Sequence, residues 1–202
     1  TIKGLRTAIT YGKNRQMSRE EMEALSTGEL PVAQVYQAYC RVLRHRGWMD
    51  YDDQMVYAAQ ILRRHGEILA YFQEKYTHLC MDEAQDTSRI QHTILRLLAG
   101  RRRNLFLVGD EDQSIYGFRA AEPGALLRFE RDYPGGRVLF LEKNYRSTQN
   151  ILNAANEVIR NNRGRKDKTL WTANGEGERV RLAQFDTAYE EADYIACDIK
   201  AE

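Results

Sequence analysis

The chain has 202 residues, with 30 Lys and Arg against 29 Asp and Glu, 43% hydrophobic residues and 10% aromatics. Apolar content at this level excludes wholesale disorder and supplies a core for one large domain or two small ones. Cys40, Cys80 and Cys197 have neither disulfide nor CxxC spacing, the histidines form no HExxH pattern, and no apolar run nears the ~20 residues of a membrane span, which together favour an intracellular, cytoplasmic protein.

Residues 1–46 read as helical. Ser18 with Glu21 fits a capping box opening "SREEMEAL", Gly28 suits a stop, and Pro31 starts a second helical stretch through Tyr36, Tyr39 and Leu43. From Asp50 to Tyr76 the spacing of Met55, Ala58, Ala59 and Leu62 again has helical period. After Tyr76 the texture changes to short apolar runs, "HLCM" (78–81), "LFLV" (105–108), "VLFL" (138–141) and "RVRLAQF" (179–185). Helices are expected at 88–99, 124–133 and 147–162, so strands alternate with helices. The fold class is therefore α/β, with a parallel sheet whose continuous apolar strands are covered on both faces.

Three of those strands lead into "DEAQD", "GDEDQSIYGFR" and "EKNYRST". In open α/β sheets ligands sit at the carboxyl ends of strands. Asp82 and Glu83 follow the first strand in the Walker B manner, one acid to serve Mg²⁺ and its neighbour to orient or deprotonate a water. Taken alone, such a pair reads more readily as surface acids, and the following Gln85 and Asp86 raise its specificity. In the second segment Gln113 can bond a γ-phosphate oxygen, while Tyr116, Phe118 and Arg119 offer a stacking surface for bases, unless the aromatics simply pack in a core. In the third, Tyr145 and Arg146 precede Ser147, the expected N-cap of a helix. A tyrosine there can stack on adenine and the guanidinium can reach a phosphate, although any isolated arginine also suits an ordinary salt bridge.

In this order the segments resemble the UvrD/Rep/PcrA family of superfamily 1 DNA helicases. "DEAQD" looks like motif II, "VGDEDQSIYGFRAA" like motif III and "LEKNYRST" like motif IV. "MDYDDQM", "FERDYP", "ILNAANEVIRNN" and "RKDKTLWT" extend the similarity over most of 47–195. The resemblance implies incomplete RecA-like sheets of the P-loop NTPase class. Residues 1–46 would be part of a helical insertion, 47–136 the later half of the first RecA-like domain and 137–202 the start of the second.

It also implies a motor that couples ATP hydrolysis to 3′→5′ movement on single-stranded DNA and to unwinding at duplex junctions, in repair, replication or recombination. ATP and Mg²⁺ would be the cofactors, and the protein would be nucleoid-associated when on DNA. Residue by residue, Asp82 would serve Mg²⁺ with Glu83 beside it as catalytic base, and Gln113 would sense the γ-phosphate. Arg146 would stabilise the transferring phosphoryl group, Tyr145 would stack on adenine, and Tyr116, Phe118 and Arg119 would meet DNA. The alternatives are a non-hydrolysing DNA- or protein-binding module and the motor part of an AddA-type helicase–nuclease.

Two departures from the family pattern matter. Ala120 stands where the family usually has Gly, which implies strain if that position has positive φ, and Phe118 stands where Trp is common. No GxxxxGK[ST] occurs, and "YGKN" (11–14) lacks the leading Gly and the hydroxyl. With an opening at Thr1 and an end inside the helical "EEADYIACDIKAE", the chain reads as an internal piece of a longer ATPase. The piece alone is expected to be inactive, since the rest of the polypeptide completes the ATP site.

Overall fold

In a computed structural model, residues 1–27, 31–117, 120–122 and 124–201 are described. The chain divides into two compact units, Thr1–Val138 and Leu139–Glu202.

The first unit begins with α1 (Ile2–Arg15), α2 (Arg19–Ala24) and α3 (Val32–Arg46). Thr1 caps α1 through its side chain, and Ser18 and Glu21 form the reciprocal capping box expected for α2. Pro31 occupies the N-cap of α3, and Gly47, at φ 64°, ends that helix. The stop expected at Gly28 lies outside the described residues. Met22, Val32 and Ala33 form a small core under Leu5, Met17 and Tyr36.

The helical pattern from Asp50 resolves into α4 (Tyr51–Arg64) and α5 (Gly66–Lys75), because His65 leaves the helical region at φ −116°, ψ 89° and glycine follows. A polar cluster ties α4 to α1. Lys13 Nζ lies 2.7 Å from Asp50 Oδ2 and 2.6 Å from Asp53 Oδ1, with its side chain 1% exposed. Tyr39 donates to Asp50 (2.8 Å) and Asn14 to Asp52 (2.8 Å). Asp50 and Asp53 also cap α4 reciprocally, so "DYDD" both starts one helix and grips another. The lysine of "YGKN" is thus committed to an internal ion pair.

Next come β1 (Leu79–Met81), α6 (Arg89–Ala99) and β2 (Leu105–Leu107). The strands pair in parallel, with Leu79 opposite Leu105 and Met81 opposite Leu107. Leucine and methionine on one face are half-buried, whereas Cys80 and Phe106, paired on the other, are exposed. Among the described residues the sheet is therefore covered on one face, not on both as expected. The helix expected at 124–133 is two turns, α7 (Gly124–Leu127) and α8 (Phe129–Asp132), broken at Arg128.

The second unit departs most from expectation. "VLFL" (138–141) forms no strand; Leu139 and Leu141 are 79% and 88% exposed, and among the described residues no neighbour supplies a ladder there. The strand β3 falls later, at Lys143–Asn144, and pairs in parallel with β4 (Trp171–Thr172). Between them lies α9 (Gln149–Ile159), with Thr148, not Ser147, at its N-cap. The run 179–185 is irregular, and α10 (Ala188–Ala201) follows.

Burial alone would depress the Lys13 pKa, but the hydrogen bonds and charges of Asp50 and Asp53 outweigh it and raise the value. Asp50 is shifted down: burial opposes this and is overcome by the bonds from Lys13, Asp53 and Tyr39. The aspartate contribution is present above its unfolded pKa and lost as pH falls through the folded value. The lysine contribution is present below its unfolded pKa and lost as pH rises through the folded value. Stability from this cluster should therefore hold between about pH 4 and 10 and fall outside that range. Lys13→Met leaves two aspartates facing each other and should cost about 3–5 kcal/mol, read as a lower urea midpoint.

Candidate functional site

Two loops meet beyond the carboxyl ends of β1 and β2. The Val108 N–H donates to the Met81 carbonyl (2.8 Å), and the Ala84 N–H donates to the Val108 carbonyl (2.9 Å). These bonds continue the ladder past the strands and set "DEAQD" beside "GDEDQ".

Asp82 and Glu83 stand at the exposed mouth. The Asp82 carboxylate accepts the Glu83 N–H (2.9 Å), and Glu83 takes a left-handed backbone at φ 49°. For a residue other than glycine that conformation costs on the order of 1–3 kcal/mol and persists only where its surroundings fix it. The fixing group is Gln85, 1% exposed. Its Nε2 donates to Glu83 Oε2 (2.7 Å) while its Oε1 accepts the Asp110 N–H (3.0 Å). The Gln85 carbonyl accepts from Ser114 Oγ (3.3 Å). One buried amide thus orients the acid of the first loop and anchors the second.

Gly109 sits where a side chain has no room. A Cβ there would lie 2.6 Å from Gln85 Oε1 and 3.1 Å from the Ala84 nitrogen. Beyond it, Asp110 caps a short 3₁₀ turn (Glu111–Gln113), its Oδ1 accepting the Asp112 N–H (3.0 Å). The other oxygen, Oδ2, holds Gln113 Nε2 at 2.8 Å, on an exposed side chain.

Tyr116 is at the surface on the same loop. Phe118 and Arg119 lie outside the described residues. Ala120 does have positive φ, 64°, in a fully buried position. An L-residue there loses about 1–2 kcal/mol, offset in part by about 0.8 kcal/mol for its buried methyl. The loop returns through an antiparallel bridge between Ser88 and Ala121, with Glu122 N–H on the Thr87 carbonyl (2.9 Å).

In the second unit, Asn144 Oδ1 accepts the N–H groups of Arg146 (2.9 Å) and Ser147 (2.8 Å). Asn174 Nδ2 donates to the carbonyls of Tyr145 (3.1 Å) and Ser147 (3.3 Å). Tyr145 is 77% exposed, and Lys143 Nζ lies 5.1 Å from its ring and 5.4 Å from that of Trp171. Within its unit, this loop is a strapped backbone that presents Tyr145 and Arg146 outward.

The structure thus sets the loop of Asp82 and Glu83 beside the loop that carries Gln113 and Tyr116, and presents Tyr145 and Arg146 on the other unit. Sequence reasoning missed the roles of Gln85, Asn144 and Asn174. A glutamine among acids directly after a strand is the signal that could have pointed to Gln85. Among the described residues no group of three or more His, Cys, Asp or Glu closes around a cation. Two adjacent carboxylates nonetheless suit Mg²⁺, which is commonly held by one or two carboxylates with water and phosphate in the remaining positions.

Removing the bridging amide should be costly. Gln85→Ala strands the Asp110 N–H and should lower stability by about 1–3 kcal/mol in urea unfolding. Gly109→Ala forces a Cβ into the same amide and should cost about 1–3 kcal/mol.

Comparison with known proteins returns one family on both units. Residues 3–134 match the model of the UvrD/REP helicase N-terminal domain, and 139–202 that of the UvrD-like helicase C-terminal domain. The chain is 44% identical over 194 residues to the ATP-dependent DNA helicase PcrA of Staphylococcus epidermidis, covering 95% of this chain and 27% of that protein. It is 45% identical over 179 residues to the PcrA of Staphylococcus aureus, covering 89% of this chain and 24% of that one. The chain therefore spans about a quarter of the length of these relatives.

Proposed function

The chain belongs to the UvrD/REP helicase family, and from that premise we propose that the protein carrying it is an ATP-dependent DNA helicase. On this reading 1–46 belongs to a helical insertion, 47–136 to a first RecA-like domain and 137–202 to a second. The observation that carries the reading is the joining of "DEAQD" to "GDEDQ" through Gln85, which ties an acidic hydrolytic loop to a loop bearing an aromatic DNA-contact candidate.

Asp82 would hold Mg²⁺ together with the nucleotide phosphates, with Glu83 adjacent; the ion, when bound, supplies charge neutralisation on the phosphates. Glu83, its carboxylate aimed by Gln85, accepts the proton of the water that attacks the γ-phosphate. Gln113 leaves Asp110 to bond the γ-phosphate, and so links nucleotide state to the loop carrying Tyr116. Arg146 stabilises charge on the transferring group, and Tyr145 stacks on the adenine. Tyr116 stacks on bases of single-stranded DNA, with Phe118 and Arg119 beside it in the sequence. Alternating closure and reopening of the two motor domains then moves the protein 3′→5′ and opens duplex junctions, in repair, replication or recombination.

Two substitutions test this in the full-length protein. Glu83→Gln should leave nucleotide affinity near wild type while steady-state ATPase on single-stranded DNA falls about 10²–10⁴-fold. Arg146→Ala should cost about 10³–10⁵-fold in turnover. Wild-type rates in Glu83→Gln would remove that residue from the chemistry.

A further inference from the structure

A cleft of about 840 Å³ in the first unit is lined in part by α6, and neither Asp82 nor Glu83 is in its lining. Five arginines line it: Arg63 from the last turn of α4, Arg89 and Arg96 from α6, and Arg128 and Arg131 from the segment of α7 and α8. Two of these are answered by carboxylates in the same wall. Arg128 bonds Glu122 at 2.6 Å, and Arg131 lies 3.3 Å from Asp132. Arg63, Arg89 and Arg96 are exposed and make no ion pair among the described residues.

Three unanswered guanidinium groups on one wall repel one another unless an anion joins them. Their spacing favours an extended one. Arg89 and Arg96 are seven positions apart on a helix, so they share a face and stand roughly 10 Å apart along its axis, about three nucleotide rises of a B-form strand. Thr93 between them is fixed by Gln16 Nε2 (2.6 Å) and by its own bond to the Arg89 carbonyl (2.9 Å), which stiffens the wall. His92 adds no charge at neutral pH, since burial lowers its pKa. Leu97, Leu107, Ala125 and Tyr133 are the apolar share of a lining in which arginine is the commonest residue.

We propose that Arg63, Arg89 and Arg96 form a second nucleic-acid contact, one that grips phosphates spaced along one backbone without reading bases and lies outside the segment of Tyr116. The choice of nucleic acid over another polyanion rests on the helicase reading above. Arginine suits this task because its planar fork matches phosphate oxygens in pairs.

The test is fluorescence anisotropy of the full-length protein with labelled oligo-dT across salt. Each neutralised single-strand phosphate contributes ~0.7 to the slope of log affinity against log salt. Replacing all three arginines with Gln should flatten that slope by about 2, so that raising salt from about 50 to 200 mM costs the wild type roughly 15-fold more than the variant. The corresponding triple Lys variant keeps the charges and should keep the slope, which separates charge loss from misfolding. An unchanged slope in the Gln variant overturns the proposal, as does a cleft that binds only inorganic phosphate while the slope stays fixed. Tyr116→Ala, measured alongside, should weaken binding at constant slope. Absence of that effect counts against Tyr116 alone, and a flattened slope in the Gln variant still supports the cleft.

Discussion

The buried amide of Gln85 is the interaction on which the site depends. A primary amide offers donors at one end and an acceptor at the other, and both ends are used: nitrogen to the Glu83 carboxylate, oxygen to the Asp110 N–H. Neither neighbour can shift without stranding a polar group out of water. That coupling explains how Glu83 keeps a left-handed backbone at the open end of a short strand. It also explains why position 109 admits no side chain.

A second polar cluster does comparable work at the other end of the first unit. Lys13 with Asp50 and Asp53 locks the opening helices to α4, and α4 in turn packs on α6. Buried charge of this kind is a poor source of net stability compared with apolar packing, yet it is costly to break. It therefore specifies one register between α1 and α4. The strain at Ala120 is the opposite case, a local cost tolerated because the bridge between Ser88 and Ala121 and the bonds on either side hold the loop.

Much of the helical half was legible in the sequence because its signals are local. The Ser18–Glu21 box and Pro31 each specify a boundary within a turn of themselves. The strands at 78–81 and 105–108 were legible because an apolar run has a partner here to pair with. "VLFL" and "RVRLAQF" carry the same local signal and form no strand, since pairing is non-local and nothing described lies alongside them. Among the candidate residues, the acids and Gln113 of the first unit and Tyr145 and Arg146 of the second announce themselves by chemistry. Gln85, Asn144 and Asn174 act by holding other groups, and only three-dimensional proximity displays that. The strain at Ala120, conditional in the sequence on the family's usual Gly having positive φ, meets that condition in the structure.

On the proposed function, Asp82 and Glu83 face a divalent cation and a triphosphate. Manganese binding followed by electron paramagnetic resonance in the full-length protein, with a non-hydrolysable ATP analogue, tests it most directly. Nucleotide-dependent manganese binding should be abolished by Asp82→Asn and left intact by Gln113→Ala. Manganese held as tightly by Asp82→Asn as by the wild type would contradict it.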